Sequence, residues 1–587
     1  MKGLFAAISI LLSSGAAAQD YRVRPPEDEI IYFLLPDRFE NGDPSNDRGG
    51  LKGDRLKTGF DPAHKGFYHG GDLKGLISRL DYIQGLGATA IWLAPIFKNK
   101  PVQGAAGQES AGYHGYWVTD FTRVDPHFGT NEDFGALVDA AHARGMKVYM
   151  DIIPNHTADV IYYAECEGGS CPYRSIADYP YQRRGGVDGP SINAGFDGTN
   201  FDRLTDPNWA YTVRVPAAEK SVKVPAWLNN PIYYHNRGNS TFRGESMLPG
   251  EHTGLDDLFT ENPRVRRGMI EIYGSWIDRF GIDGFRIDTA RHVEPEFWRE
   301  FLPAMLERAK ARGIANFHIF GEVADPDPSA LARFTRDDKL PAVLDFAFAS
   351  AVHEVASGKV GTDKLEALFA ADVLYEGGRA TARKLPTFIG NHDFVARPAT
   401  FIKANSPQAS AEELLKRVEL ANVLLFTARG VPTIYSGDEQ GFVGDGGDQD
   451  AREDMFPSKV ASYNDNKLLG TNATTAQSNF DTKHPLYRLI AQLADMRKRT
   501  AALRHGDTVF RAGDEKPGLL AFSRLFDGKE VLVALNTSPQ PIAHNVAVEV
   551  GSQRFSALAG QCATEASAPG SVRISLAGFG YAVCAAE

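Results

Sequence analysis

Carboxylates end several short apolar runs in this sequence, and their placement is the first sign of chemistry. Asp288 closes one run two residues after Arg286, Glu322 closes a second and Asp393 a third. Charged groups rarely enter a core without partners or a function. Arg286 and Asp288 alone could be a structural ion pair. Three carboxylates at three strand ends instead favour a catalytic site, and two with separated pKa values suffice to cleave a glycosidic bond.

The elements that must position these groups alternate between strand and helix. Helical periodicity occurs near residues 72–84, 132–144, 265–280 and 295–312. Buried strands are predicted near residues 30–35, 88–93, 147–153, 282–287, 317–320, 342–346, 387–390 and 432–435. Crossovers between parallel strands are right-handed and cover both faces of a sheet. The pattern therefore predicts an α/β fold, a (β/α)8 TIM barrel with its active site at the C-terminal strand ends.

Two stretches interrupt this alternation. Residues 157–258 are rich in Gly, Asn, Asp, Pro and Tyr and too long for an ordinary loop, so we expect an irregular inserted domain after strand 3. From residue 502 short alternating runs predict a C-terminal antiparallel β-sandwich. The barrel would then comprise residues 19–156 and 259–501. Two local disulfides, Cys166–Cys171 and Cys562–Cys584, are expected; a shared metal site is the less favoured alternative.

Composition narrows the classes of partner and the compartment. The 587 residues carry a formal net charge of −11 without a basic block, which disfavours nucleic acid as a partner. Residues 1–18 combine Lys2, an apolar run and an Ala-rich exit, the pattern of a signal peptide cleaved after Ala18. We find no later stretch that could span a membrane. With the signal peptide, this predicts a protein that is secreted or periplasmic, and we expect it to be a monomer.

Four ordered segments then resemble the signature regions of the α-amylase family of glycoside hydrolases and transglycosylases. They are Asp151–His156, Gly284–His292, Phe320–Val323 and Phe388–Asp393, and Gly112–Trp117 and Gly430–Tyr435 match the family as well. The resemblance covers nearly the whole mature chain. It implies a barrel with an inserted domain and a C-terminal β-sandwich, closest in layout to bacterial three-domain α-amylases.

The resemblance also implies roles for individual residues. Asp288 matches the nucleophile, Glu322 the general acid/base and Asp393 the transition-state stabiliser of a retaining double displacement. We therefore expect a raised pKa for Glu322, a pKa of Asp288 kept low by Arg286, and carboxyl groups about 5 Å apart. The residues that match substrate-binding positions are His114, Tyr116, Trp117, His156, Arg286, Arg291, His392, Asp448 and Arg452.

Calcium is the cofactor that the resemblance implies. One site would use Asn155, Asp257 and the carbonyl of His292, clamping the insert to the barrel. A second, similar to one in cyclodextrin glucanotransferases, would use Asn41, Asp43, Asn46, Asp47, Gly70 and Asp72. Loops this rich in oxygen are usually plain solvated turns, but Ca²⁺ takes six to eight oxygen ligands.

The resulting prediction is hydrolysis of internal α-1,4-glucosidic bonds in starch or maltodextrins. The alternative is an α-glucan transglycosylase or a relative that degrades cyclodextrin or pullulan. The first strand near residue 30 and the missing extra C-terminal domains favour the amylase modestly. A non-catalytic glucan-binding protein is disfavoured because all three carboxylates are present. Arg291 stands where many members of the family have lysine. The two side chains differ in geometry, because the arginine guanidinium group is planar and the lysine ammonium group is a compact point charge.

Overall fold

Eight parallel strands form the central sheet of the protein, for which a computed structural model describes residues 21–166 and 171–587. The predicted signal peptide lies outside these residues. In chain order the strands are β1 Ile31–Leu34, β2 Ala90–Leu93, β3 Lys147–Ile152, β4 Gly284–Ile287, β5 His318–Gly321, β6 Ala342–Val343, β7 Pro386–Phe388 and β8 Val431–Tyr435. All eight are buried, as expected for strands covered on both faces.

The sheet closes into a barrel. Its order is β6-β5-β4-β3-β2-β1-β8-β7, so β6 and β7 form the two ends. The amide of Asp345, just beyond β6, donates to the carbonyl of Pro386 in β7 at 2.9 Å and joins those ends. The predicted (β/α)8 fold is therefore confirmed.

Helices occupy most of the connections between these strands. The longer ones are α1 Leu73–Ser78, α2 Leu80–Gly85, α3 Asn131–Ala143, α4 Pro263–Phe280, α5 Pro295–Ala311, α6 Pro328–Arg336, α7 Phe346–Ser357, α8 Lys364–Ala370, α9 Pro398–Asn405, α10 Ala411–Thr427 and α11 Pro485–Arg499. Thr130 and Asp133 form a capping box that starts α3. Gly281, in the left-handed region at φ 63°, ends α4 and turns the chain into β4.

Two predicted elements differ from the structure by more than a shift of one or two residues at an end. The helix expected over residues 72–84 is two helices, because Arg79 has non-helical dihedrals. The strand expected over residues 342–346 ends at Val343, because the Asp345 side chain accepts from the amide of Phe348 and caps α7. Local capping chemistry therefore overrides the apolar pattern at this strand end.

The insert between β3 and β4 has little regular structure. His156–Thr157 pairs antiparallel with Asp256–Asp257, so the insert leaves and rejoins the barrel at one place. The Cys166–Cys171 disulfide lies within the insert, as predicted. Within residues 21–166 and 171–587, no helix is long and apolar enough to cross a membrane.

The C-terminal domain consists of antiparallel strands beyond α11. They are β9 Asp507–Gly513, β10 Leu519–Phe526, β11 Lys529–Asn536, β12 Ile542–Ala547, β13 Phe555–Gly560, β14 Ser571–Leu576 and β15 Tyr581–Ala586. One sheet has the order β9-β10-β11-β15-β13 and the other pairs β12 with β14. Apolar residues from both sheets share one core, which confirms the predicted β-sandwich. The predicted Cys562–Cys584 disulfide links β15 to the segment after β13.

Candidate active site

The C-terminal ends of the barrel strands open into a cleft of about 790 Å³. This volume is within the range of ligand-binding pockets. The predicted catalytic carboxylates Asp288, Glu322 and Asp393 all line the cleft. So do seven of the predicted substrate residues: His114, Tyr116, Trp117, His156, Arg291, Asp448 and Arg452. Arg286 and His392 lie beneath it, around a small adjoining cavity.

Arg286 is the electrostatic centre of the site. It is 1% exposed, because β4 carries it into the barrel between β3 and β5. Its Nη1 donates to Asp288 Oδ1 at 2.8 Å, and its Nη2 lies 3.0 Å from Glu322 Oε2. The two predicted catalytic carboxylates therefore lie against one guanidinium group.

Asp151, to which the sequence analysis gave no role, is the third carboxylate on that guanidinium. Arg286 Nη1 donates to Asp151 Oδ1 at 2.8 Å, and Trp92 Nε1 and the Tyr116 hydroxyl donate to Oδ2, each at 3.1 Å. Burial raises the pKa of Asp151 to about 8, and Arg286 opposes that rise. The signals in the sequence were its position near the end of a predicted strand, three residues before Pro154, and its place at the start of the segment Asp151–His156 that resembles the family.

Glu322 has a pKa above its ordinary value, mainly because it is buried. Burial raises that pKa to about 7, Arg286 lowers it, and Asp288 and Asp393 raise it further. Near neutral pH, Glu322 is therefore partly protonated. A proton donor in the cleft needs this property.

The prediction that Arg286 keeps the pKa of Asp288 low is wrong in sign. Burial raises the pKa of Asp288, while Arg286 and His252 counteract part of the rise. Burial depends on tertiary packing and dominates over a neighbouring charge here. Arg286 therefore limits an upward shift and does not produce a downward one.

Asp393 behaves differently from the other two carboxylates. Burial acts to raise its pKa, but His392, Arg452 and Arg286 together lower it below the usual value. The pKa of His392 is itself lowered to about 3, mainly by burial, so this ring is neutral at neutral pH. The arginines therefore supply the stabilising charge, with Arg452 Nη2 3.0 Å from Asp393 Oδ1.

The activity should consequently decline on the alkaline side of neutrality. We expect kcat/KM for maltoheptaose to fall with an apparent pKa of about 7, because raising the pH through that value removes the proton from Glu322. Below that pKa Glu322 holds its proton, so its ionisation does not lower the rate there. Initial rates from about pH 5 to about pH 9 at constant ionic strength test this. A profile that stays flat to about pH 9 would contradict the assignment of Glu322.

The predicted sugar-binding aromatic and histidine side chains form one connected group. The Tyr116 hydroxyl lies 2.7 Å from His392 Nε2, and the His114 and Tyr116 rings stack at 5.6 Å. Burial lowers the pKa of His114 and of His156, so both are neutral hydrogen-bonding groups. His156 Nε2 is buried and has no partner among the described atoms. It can therefore accept a hydrogen bond from the hydroxyl group of a bound sugar, or donate one to it.

Arg452 contacts two carboxylates that line the cleft. It lies 2.8 Å from Asp448 and, as above, 3.0 Å from Asp393, and its Nε donates to the His392 carbonyl at 2.9 Å. Asp448 is half exposed and lines the cleft. The predicted substrate-binding residues Asp448 and Arg452 therefore lie beside Asp393, the predicted transition-state stabiliser.

Arg291 is tethered to the backbone. Its Nη1 donates to the carbonyl of Ala324 at 2.7 Å, which ties the end of β4 to the loop after Glu322. A lysine at this position could not donate to that carbonyl and keep other donors in a fixed plane. Arg291 also lines the cleft.

Several residues that line the cleft were not predicted from the sequence. His252, Thr253 and Leu255 come from the insert, and Phe394 follows Asp393 directly. None lies in a strand pattern that predicts a site. For Phe394, the only signal was its place beside a predicted catalytic residue.

The loop around Asn41 fits a cation. Asn41 Oδ1 and Asn46 Oδ1 are buried without a partner among the described atoms, and Asn41 Nδ2 donates to Asp47 Oδ1 at 2.8 Å. A Cβ on Gly70 would come within 2.7 Å of Asn41 and Asp47. The free oxygens and the small residue leave space that suits an oxygen-coordinated ion.

Two of the six predicted ligands at this loop have other partners. Asp72 caps α1 by accepting from the Gly75 amide at 2.7 Å, and it also accepts from the amides of Gly42 and Asp43. The Asp43 side chain pairs with Lys74. Helix capping and a surface ion pair explain these two carboxylates without a metal.

The other predicted calcium site gives a weaker fit. Asn155 Nδ2 lies 3.2 Å from Asp257 Oδ1, and Asp257 Oδ2 lies 2.5 Å from His235 Nδ1. Both carboxylate oxygens thus have partners, and the His292 ring binds the Met247 carbonyl at 2.8 Å. No group of three His, Cys, Asp or Glu residues within the described ranges is arranged to hold a metal.

The chain is similar to alpha-amylases and to a cyclomaltodextrin glucanotransferase. The model of the alpha-amylase catalytic domain matches residues 33–506. An alpha-amylase of Streptomyces lividans is 45% identical over 94% of this chain, which spans 62% of the length of that relative. A cyclomaltodextrin glucanotransferase of Klebsiella oxytoca is 29% identical, over 90% of this chain and 74% of the length of that enzyme. The solved structure of an Anoxybacillus alpha-amylase aligns with a TM-score of 0.67 at 27% identity, covering 96% of this chain and 98% of its own.

Proposed function

The chain belongs to the alpha-amylase family, and on that basis we propose that it hydrolyses internal α-1,4-glucosidic bonds of starch or maltodextrins with retention of configuration. The observation that carries the proposal is the shared contact of Asp288 and Glu322 with Arg286 in a cleft that Asp393 also lines. The similarity to the Streptomyces lividans alpha-amylase supports the α-glucan as substrate.

The proposed reaction has two displacements. Glu322 donates its proton to the glycosidic oxygen while Asp288 attacks the anomeric carbon, so the leaving chain departs as an alcohol. Glu322, now ionised, removes a proton from water, which attacks the same carbon and frees Asp288. Asp393, the carboxylate with the lowered pKa, is ionised and stabilises the positive charge that develops on the sugar.

Product analysis tests this function. We expect soluble starch and maltoheptaose to give linear maltooligosaccharides of retained anomeric configuration, observable by NMR immediately after mixing. The Asp288→Asn protein serves as the control. Cyclic or lengthened products would instead identify a transglycosylase, the alternative that the similarity to the Klebsiella oxytoca enzyme supports. Rapid opening of β-cyclodextrin with little action on starch would identify a cyclodextrin-degrading enzyme.

Calcium, in this proposal, is a structural ion held at the loop of Asn41, Asn46 and Asp47. It would neutralise Asp47 and satisfy the two free amide oxygens. The clamp of Asn155, Asp257 and the His292 carbonyl stays a prediction. The two disulfides are consistent with an oxidising compartment and support secretion or export to the periplasm.

Removal of calcium should lower the melting temperature. At a concentration of about 100 times Kd, a bound ion stabilises the folded state by about 2.7 kcal/mol. Differential scanning calorimetry of chelator-treated protein, with and without added Ca²⁺, measures the shift. The Asn46→Ala variant should lose most of it, whereas Asn466→Ala, a control at another half-buried asparagine, should keep it. Equal melting temperatures with and without Ca²⁺ would rule out this site.

A further inference from the structure

We propose that Phe394 is a stacking platform on which one glucosyl ring of the substrate chain lies beside Asp393. The inference rests on the proposed α-glucan hydrolase function and identifies a binding contact for it. Three features of the structure carry it: the exposure of the ring, its support from behind and the rigidity of its loop.

Phe394 is the most exposed large hydrophobic residue in the described part of the chain. Its side chain is 70% exposed although it lines the catalytic cleft. Single exposed apolar residues are common on a protein surface. A phenyl ring open to water inside a ligand cleft is different, because its apolar face becomes useful only when a ligand covers it.

One face of this ring is already supported. Phe346, at the start of α7, is buried and stacks on Phe394 with ring centroids 5.7 Å apart and an interplanar angle of 15°. Phe346 in turn contacts the edge of Phe388 in β7, at 5.0 Å and 87°. Phe346 therefore packs against one side of the Phe394 ring, and the rest of the ring is open to the cleft.

The loop that carries the ring is closed on itself by hydrogen bonds. The Asn391 amide donates to the Ala396 carbonyl at 3.0 Å, and the Ala396 amide donates to the Asp393 carbonyl at 2.9 Å. The Asp393 amide donates to Asn391 Oδ1 at 3.1 Å. The loop backbone that carries Phe394 is therefore held relative to Asp393, and binding to a preorganised loop costs less entropy.

The barrel topology sets what faces this platform. Phe394 follows β7, which lies opposite β3 in an eight-stranded ring, and the insert follows β3. His252 and Leu255 of the insert line the facing wall. A glucan chain in the cleft therefore passes between the insert and Phe394.

The chemistry of the two walls suits a pyranose ring. Carboxylates, arginines and histidines bind the hydroxyl groups at its edge, whereas its C–H faces are apolar and pack on an aromatic face. Phenylalanine has no hydrogen-bonding group, so its partner in the cleft must be such an apolar face. The ligand class is therefore a glucosyl unit adjacent to the bond that is cleaved.

Binding to the full chain with Glu322→Gln in the background tests the platform without turnover. Isothermal titration calorimetry with maltoheptaose should show Kd about 3- to 10-fold higher for Phe394→Ala and for Phe394→Leu, the range of one aromatic stacking contact. Phe394→Tyr and Phe394→Trp should keep Kd within about 2-fold, because each keeps a ring. Phe526→Ala, which removes a 40% exposed ring from β10 in the C-terminal domain, is the matched control and should change nothing.

The outcomes separate this inference from the function on which it rests. Unchanged Kd in Phe394→Ala overturns the platform, as does a Phe394→Leu variant that binds like the parent. If the parent does not bind maltoheptaose and the unsubstituted protein does not hydrolyse it, the proposed function itself fails. In the active background, Phe394→Ala should raise KM more than it lowers kcat, and a melting temperature close to the parent excludes a folding defect.

Discussion

Replacement of Glu322 by glutamine should lower kcat on soluble starch by about 10³-fold, the contribution of a positioned general acid and base. The amide occupies nearly the same volume but has no transferable proton. The pKa of about 7 at Glu322 means that the native group is available both as acid and, once ionised, as base. Initial rates measured by release of reducing ends give the size of the loss.

Leaving-group dependence distinguishes this role from a structural one. An α-maltosyl fluoride needs no protonation to depart, so the Glu322→Gln protein should form the glycosyl-enzyme far faster from it than from starch. Glu296→Gln, an exposed glutamate of α5, is the control and should match the native protein. A starch rate within about 10-fold of native in Glu322→Gln would refute the assignment.

Replacement of Asp288 by asparagine should be more severe, on the order of 10⁴-fold in kcat, because an amide cannot attack the anomeric carbon. Asp288 contacts Arg286 at 2.8 Å in the native protein, so the substitution also leaves that guanidinium with less negative charge. Substrate binding should change much less than kcat, because most hydroxyl contacts remain. Rates on maltoheptaose, together with its Kd, measure both quantities.

Covalent trapping provides a direct test of the nucleophile. In the Glu322→Gln background, α-maltosyl fluoride should leave a maltosyl adduct, since the second displacement lacks its base. Mass spectrometry of a digest should place the adduct on the peptide that contains Asp288. The doubly substituted protein, with Asp288→Asn as well, should gain no mass. An adduct on Asp393 would contradict the mechanism.

Much of the fold follows from local patterns in the sequence. The run from Ile30 to Leu35 is apolar throughout because a parallel strand is covered on both faces, so β1 can be predicted without its neighbours. Asp345 shows the limit of such patterns: it caps α7 and ends β6 three residues early. Helix and strand ends depend on single hydrogen bonds that apolar periodicity does not report.

The sequence by itself determined the barrel, the insert, the C-terminal sandwich and the three carboxylates at strand ends, because side-chain type and spacing carry that information. Only the tertiary structure showed that Arg286 serves Asp151 and Glu322 as well as Asp288. It also reversed the expected pKa shift of Asp288 and revealed the open ring of Phe394. Burial and shared partners depend on segments far apart in the chain, and no local pattern records how much water a packed barrel excludes.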